Sequence, residues 1–314
     1  MLRRTGAVLL AALCLSGGAL AAAPAQESPS PLPPELFAGR QAHRIATAIA
    51  SMPVNHDGPQ TFFVGFAGYG EQTVFRKEEE LAQRVLGEHF GVEARSLSLV
   101  NDVHDRHSYP LATVENLRYA LALLGRRMDP ERDVLILMLT SHGSREDGIA
   151  VTNDDLVDDD LTPEDLRDAL DDAGIRWRIV VASACYAGVF LKPLESETTL
   201  ILTAADSRHS SFGCADDRDL TYFGEALLKD SLPVSCTLEQ AFASAQRIVR
   251  ERETAEGEPH SNPQIYVGAR MRALLATLEG APPRVAEAPG ARTAPRSTSC
   301  SAPASLEARP ERSH

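Results

Sequence analysis

VLILMLTSHGS at 134–144 and RIVVASACYAG at 178–188 decide the fold. Each contains an apolar run without alternation, which is the composition of a strand covered on both faces. Each run then gives way to small and polar residues and a reactive side chain, His142 in the first stretch and Cys185 in the second. Between them, Thr162 to Ala173 reads as a helix. Thr162 is its cap, Pro163 suits its first turn, and Asp165 stands where a capping box places a carboxylate. Strand, crossover helix and strand make a unit whose right-handed connection sets the two strands side by side.

Working outward, the same alternation continues. TFFVGFA (61–67) and RSLSLV (95–100) read as strands, as do Thr199–Thr203 and the late QIYV (264–267). Helical periodicity marks Pro34–Met52, Thr73–Phe90, Thr113–Met128, and two further stretches near 219–230 and 237–254. Alternating strands and helices mean an α/β domain with a mostly parallel central sheet and helices on both faces. We divide the chain into a leader (1–25), a linker with a helix (26–57), one domain (58–279) and a tail (280–314). The tail is rich in Ala, Pro, Arg and Ser and is expected to be disordered.

Composition narrows the function. The 314 residues are 43% hydrophobic and 24% charged, ordinary for a packed domain. A net charge of −13 with no basic stripe argues against nucleic acid. Arg3 and Arg4, the apolar stretch Ala7–Leu15 and the Ala23-Pro24-Ala25 site before Gln26 form an export signal, so the mature protein is expected in the periplasm or secreted. No other apolar run is long enough to span a bilayer. Export permits disulfides. Cys14 leaves with the leader and Cys300 lies in the tail. Cys214 and Cys236 are the candidate pair, with two free thiols as the alternative.

Sites in open parallel sheets form beyond the carboxyl ends of the strands. His142 and Cys185 both stand there. A thiolate is the attacking species, and a nearby histidine or helix N-terminus lowers its pKa. The segment Ala187–Leu191 is placed to offer such helix amides. An imidazole exchanges a proton near neutral pH. Gly143 has no side chain, so its N–H can approach a substrate carbonyl and, with the N–H of Cys185, form an oxyanion hole. The bland alternative is a small core cysteine and a polar loop histidine. Other features are discounted. Gly65, Gly68 and Gly70 miss the dinucleotide spacing. NDDLVDDD (153–160) lacks the calcium-loop pattern and reads as a solvated loop. His104 and His107 have no element to hold zinc. Neither a metal nor an organic cofactor is called for.

The sequence resembles the legumain-like (asparaginyl endopeptidase) cysteine peptidases, especially their bacterial relatives, which share a caspase-like fold. The resemblance runs from about Thr61 to Gly268. It rests on LMLTSHGS (137–144), IVVASACYAG (179–188), TAADSRHSSFGCADDRDLTYFGEAL (203–227) and NPQIYVG (262–268) in order. It implies a caspase-like three-layer α/β sandwich and a polypeptide substrate cut through an acyl-enzyme on Cys185, with His142 and Gly143 assisting. It also implies a pocket for the residue before the cut bond, lined by Arg76, Ser210, Ser211 and Glu225, that accepts Asn or Asp. Three positions depart from the eukaryotic pattern. Ser183 stands in place of a glutamate two residues before the nucleophile, and Glu225 in place of an aspartate. Val74 replaces the asparagine that precedes the pocket arginine by two and orients the histidine. A non-catalytic binding or scaffold protein on the same fold is the alternative function.

Overall fold

The computed structural model describes residues 34–55, 58–154, 156–215 and 217–279. The leader (1–25) and the tail (280–314) lie outside them. Among the described residues no helix is long and apolar enough to cross a membrane.

The chain opens with α1 (Pro34–Ser51), β1 (Thr61–Ala67), α2 (Thr73–Phe90), β2 (Ser96–Val100) and α3 (Val114–Gly125). Then come β3 (Val134–Thr140), a small antiparallel sheet of β4 (Gly143–Ser144), β5 (Gly148–Thr152) and β6 (Asp158–Leu161), α4 (Pro163–Asp172) and β7 (Trp177–Ser183). The rest is α5 (Leu191–Leu194), β8 (Thr199–Thr203), α6 (Tyr222–Gly224, running on as a π-helical turn to Ser231), α7 (Leu238–Glu256), β9 (Gln264–Val267) and α8 (Ala269–Glu279). The central sheet has the order β2-β1-β3-β7-β8-β9 and is parallel except for β9. This is a mixed α/β sandwich consistent with the caspase-like fold.

The unbroken apolar runs fill both faces. Leu135, Leu137 and Leu139 of β3 pack with α1, α3 and α4, while Val134, Ile136 and Met138 pack with α2, α6, α7 and α8. Period-two pointing with apolar residues at every position is what a strand between two helical layers requires. Thr162 caps α4 as its sequence predicts, its hydroxyl accepting from Asp165 N–H at 3.0 Å.

One expectation changes. The acidic run 153–160 is not wholly a loop, because Asp158–Leu161 forms β6 against β5. Its three aspartates face water and only Leu161 is buried, so charge at the open positions hid a strand.

Helix α2 carries a second surprise. Its buried stripe is Val74, Phe75, Glu78, Glu79, Ala82, Leu86 and Gly87, so two consecutive glutamates lie against the sheet. Burial pushes the Glu79 carboxyl up to about 8, and the Ser98 hydroxyl donates to it at 2.6 Å. Burial also pushes Glu78 up. An unfolded glutamate titrates near its ordinary value of about 4.3, so between that pH and about 8 the folded state holds a proton that the unfolded state has lost. Stability is then full at low pH and falls as pH rises towards 8. Urea unfolding from pH 5 to 8 is expected to show a decline of roughly 1 kcal/mol per pH unit from Glu79, and Glu79→Gln is expected to lessen the slope by about that amount. An unchanged slope in the variant would remove Glu79 as the cause.

Candidate active site

The carboxyl rim of the sheet collects the reactive side chains. β3 and β7 are neighbours with Thr140 opposite Ser183, so the segment leaving β3 delivers His142 beside the segment that delivers Cys185. The two segments touch. Ser141 N–H donates to the Ser183 carbonyl at 3.3 Å. A Cβ on Gly143 would lie 2.5 Å from the Cys185 carbonyl oxygen and 3.2 Å from Ala184 Cβ. Only glycine fits this approach.

His142 is held on three sides. Its Nε2 lies 2.6 Å from Gln72 Oε1, and the rings of Tyr69 and Phe75 meet it edge-on with centroids at 4.5 and 5.0 Å. Gln72 occupies the N-cap position of α2, yet its side chain makes no cap bond. It faces the imidazole instead. Donation from Nε2–H to Gln72 leaves the lone pair on Nδ1, the atom that can accept a proton. Burial lowers the imidazole pKa, with the charge of Glu71 opposing, so the ring is a neutral base at pH 7.

Cys185 is partly exposed. Its thiol donates to the Ser211 carbonyl at 3.4 Å, and the Ser211 hydroxyl approaches the sulfur at 3.7 Å. Among the described residues no hydrogen bond joins it to His142, so the thiol must turn from Ser211 before it can pass a proton to the imidazole. Tyr186 follows in the left-handed region with φ 57°, and its N–H donates to the His209 carbonyl at 3.0 Å. A side chain in that region costs roughly 1–2 kcal/mol, and such strain clusters at functional sites. The helical segment that follows, Ala187–Phe190, is a single 3-10 turn.

The hairpin after His142 frees one donor. His142 O accepts from Ala150 N–H at 3.0 Å, and Gly143 pairs with Ile149 in the antiparallel ladder. Bonded and non-bonded pairs alternate along such a ladder. Gly143 therefore falls at a non-bonded pair, and its N–H points away from the hairpin.

The residues expected to line the pocket are only partly gathered. Ser211 touches the sulfur, and the Ser210 hydroxyl donates to Tyr186 Oη at 3.2 Å. Ser183 is buried at the end of β7 and pairs with Thr221 Oγ1 at 3.3 Å. Arg76 is not joined to them. It is bound to Asp102 at 2.5 Å and Glu80 at 2.8 Å. Glu225 is bound by Arg252, Lys229 and Arg218 at 2.7, 2.9 and 3.0 Å. The hydrogen bond from Lys229 leads in lowering its pKa, opposed by burial.

The expected Cys214–Cys236 bridge does not form. Cys214 is a free thiol, and Cys236 is disulfide-bonded but not to it. Cys214 packs near Tyr69 and Phe75 under the rim. Cys236 precedes α7, whose far end leads back to the rim through 258–263. Among the described residues no group of acids, histidines and cysteines is arranged to hold a metal ion.

Gln72 is the partner of His142 that the sequence does not reveal. The signal available was its place just beyond the end of β1, a strand that neighbours β3 at the same rim.

Residues 124–273 match the model of the Peptidase C13 family. The matched stretch contains His142, Gly143, Ser183, Cys185, Ser210, Ser211 and Glu225, whereas Gln72 and α2 precede it. No curated protein matches the chain.

Proposed function

Given that residues 124–273 make this chain a legumain-like cysteine endopeptidase of the peptidase C13 family, we propose that it cuts polypeptides through Cys185 and His142. The observation that carries this reading is the contact of the two reactive segments at the ends of β3 and β7, with Gln72 orienting the imidazole.

The reaction follows from those groups. His142 Nδ1 takes the thiol proton as Cys185 Sγ bonds to the substrate carbonyl carbon. The carbonyl oxygen becomes an oxyanion, and the Gly143 N–H is the donor placed to receive it. His142 then returns the proton to the amine nitrogen as the C–N bond breaks, leaving a thioester on Cys185. Water attacks that thioester, and His142 takes its proton and passes it back to the departing sulfur. The products are a carboxylic acid, an amine and the original thiol.

Residue preference is less tightly drawn. In the resemblance, an asparagine orients the histidine and an arginine two residues later reads the substrate. Gln72 orients the histidine here, and two residues later stands Val74, 1% exposed. With Arg76 bound to two carboxylates, we expect no strict requirement for asparagine. The N-terminal signal supports a reaction outside the cytoplasm, and a mature protein beginning at Gln26 by N-terminal sequencing would test that.

Alkylation kinetics test the dyad. Iodoacetamide is expected to label Cys185 with an acid limb below the ordinary histidine value of about 6.5, since burial lowers the pKa of His142. In His142→Ala that limb should vanish and labelling should slow. Cys214 should lag, because burial raises its thiol pKa. Equal labelling of Cys185 with and without His142 would point to a scaffold rather than a dyad.

A further inference from the structure

Glu78 lies on α2, one turn beyond Phe75 and nearly two beyond Gln72, residues that hold the imidazole. It is 0% exposed, yet none of the chemistry above uses it. Its carboxyl group has hydrogen-bond partners on two other elements. Thr140 Oγ1, at the end of β3 and two residues before His142, donates to Oε1 at 3.0 Å. Thr221, the N-cap of α6, donates to Oε2 from its N–H at 3.0 Å and from its hydroxyl at 2.6 Å. The Ser183 hydroxyl, at the end of β7 and two residues before Cys185, joins the group through Thr221 Oγ1 at 3.3 Å.

The fold makes room for this group. A Cβ on Gly224 would overlap the Glu78 carboxyl. Gly224 N–H bonds to Thr221 Oγ1 at 2.9 Å, so the start of α6 is built around the acid. Tyr222, next to Thr221, closes the loop that carries Ser211 to the sulfur, its N–H donating to the Phe212 carbonyl at 2.9 Å. A side chain that only filled space here could be apolar. A carboxyl with three donors converging on it costs desolvation, and that cost is met by fixing the donors.

We propose that Glu78 is a positioning residue for the reaction: it ties the end of the His142 strand, the end of the Cys185 strand and the start of α6 into one hydrogen-bonded knot, and so sets how imidazole and sulfur face each other. The proposal rests on the peptidase reading above. It assigns Glu78 no contact with substrate. Its effect belongs to alignment, where a misplacement of about 1 Å costs about 100-fold in rate.

Glu78→Gln and Glu78→Leu separate the knot from simple packing. In the Gln variant the carboxamide oxygen can accept from Thr221, and its NH2 can donate to the Thr140 hydroxyl. Its kcat should stay within about threefold of wild type. The Leu variant keeps the bulk and loses every bond. Its kcat should fall about 100-fold with KM within about threefold, in protein shown to be folded by near-UV circular dichroism. Should the Leu variant not fold, Thr140→Val removes one strand from the knot and should lower kcat about tenfold. Folded Glu78→Leu or Thr140→Val protein with wild-type kcat would overturn the proposal, as would a loss confined to KM. The rate at which His142 accelerates alkylation of Cys185 gives a second reading that needs no substrate. It should survive in Glu78→Gln and disappear in Glu78→Leu, and its survival in folded Glu78→Leu would also overturn the proposal. A wild-type protein that cuts no peptide would defeat the peptidase reading alone, and the alkylation comparison would still decide the role of Glu78.

Discussion

Cys185→Ala is expected to lower the rate of peptide cleavage about 10⁴-fold or more, with a melting temperature within about 3 °C of wild type. Loss of a nucleophile removes the covalent route outright, and what remains is binding and the oxyanion donor. The structural cost is small because the side chain is short and partly open to solvent, and among the described residues its sulfur bonds to Ser211 alone. A mixed peptide library analysed by mass spectrometry reads both reaction and preference. Cuts present in wild type and missing from Cys185→Ala belong to this site. The residues before those cuts show whether Asn and Asp stand out in the absence of a free pocket arginine. Cuts that persist in the variant at wild-type rate would remove Cys185 from the chemistry.

The second large effect comes from a methyl group. In Gly143→Ala the new Cβ falls 2.5 Å from the Cys185 carbonyl oxygen and 3.0 Å from that of Gly148. Both are backbone atoms and neither can swing aside. The two reactive segments must then part, which moves the oxyanion donor and the imidazole away from the sulfur together. Turnover should drop about 100-fold, and overpacking should cost about 1–3 kcal/mol of stability. Gly39 is the control. A Cβ there meets nothing within 4 Å, and Gly39→Ala should leave turnover unchanged. Wild-type kcat in Gly143→Ala would show that the two segments are not in functional contact.

What the sequence discloses and what it hides follow from one rule about charge. Strands β3 and β7 are legible because each holds an unbroken apolar run, 134–139 and 179–182, which suits a strand between two layers. The helical periodicity of α4 and its capping residues are legible for the same local reason. The stripe of α2 is not, because Glu78 and Glu79 continue it in place of leucines. A reading that sends carboxylates to solvent turns FRKEEELAQ into an exposed face, and with it goes the acid beneath the site. The same rule hides β6, where three aspartates face water on a strand. Gln72 escapes for a different reason. Its role depends on β1 lying next to β3, which the spacing of residues 72 and 142 does not encode. The disulfide expectation fails because pairing was judged by membership of the folded part, which does not decide whether two sulfurs meet, and Cys214 is a free thiol.

Strand β6 has a bearing on how copies of the molecule meet. An open sheet edge is a template for another chain's backbone. This one displays Asp158, Asp159 and Asp160 to water, so a second copy arriving there in antiparallel fashion would set carboxylate against carboxylate. Crowding then works against self-association along that edge, and the margin beside the His142 hairpin stays open to visitors of other composition.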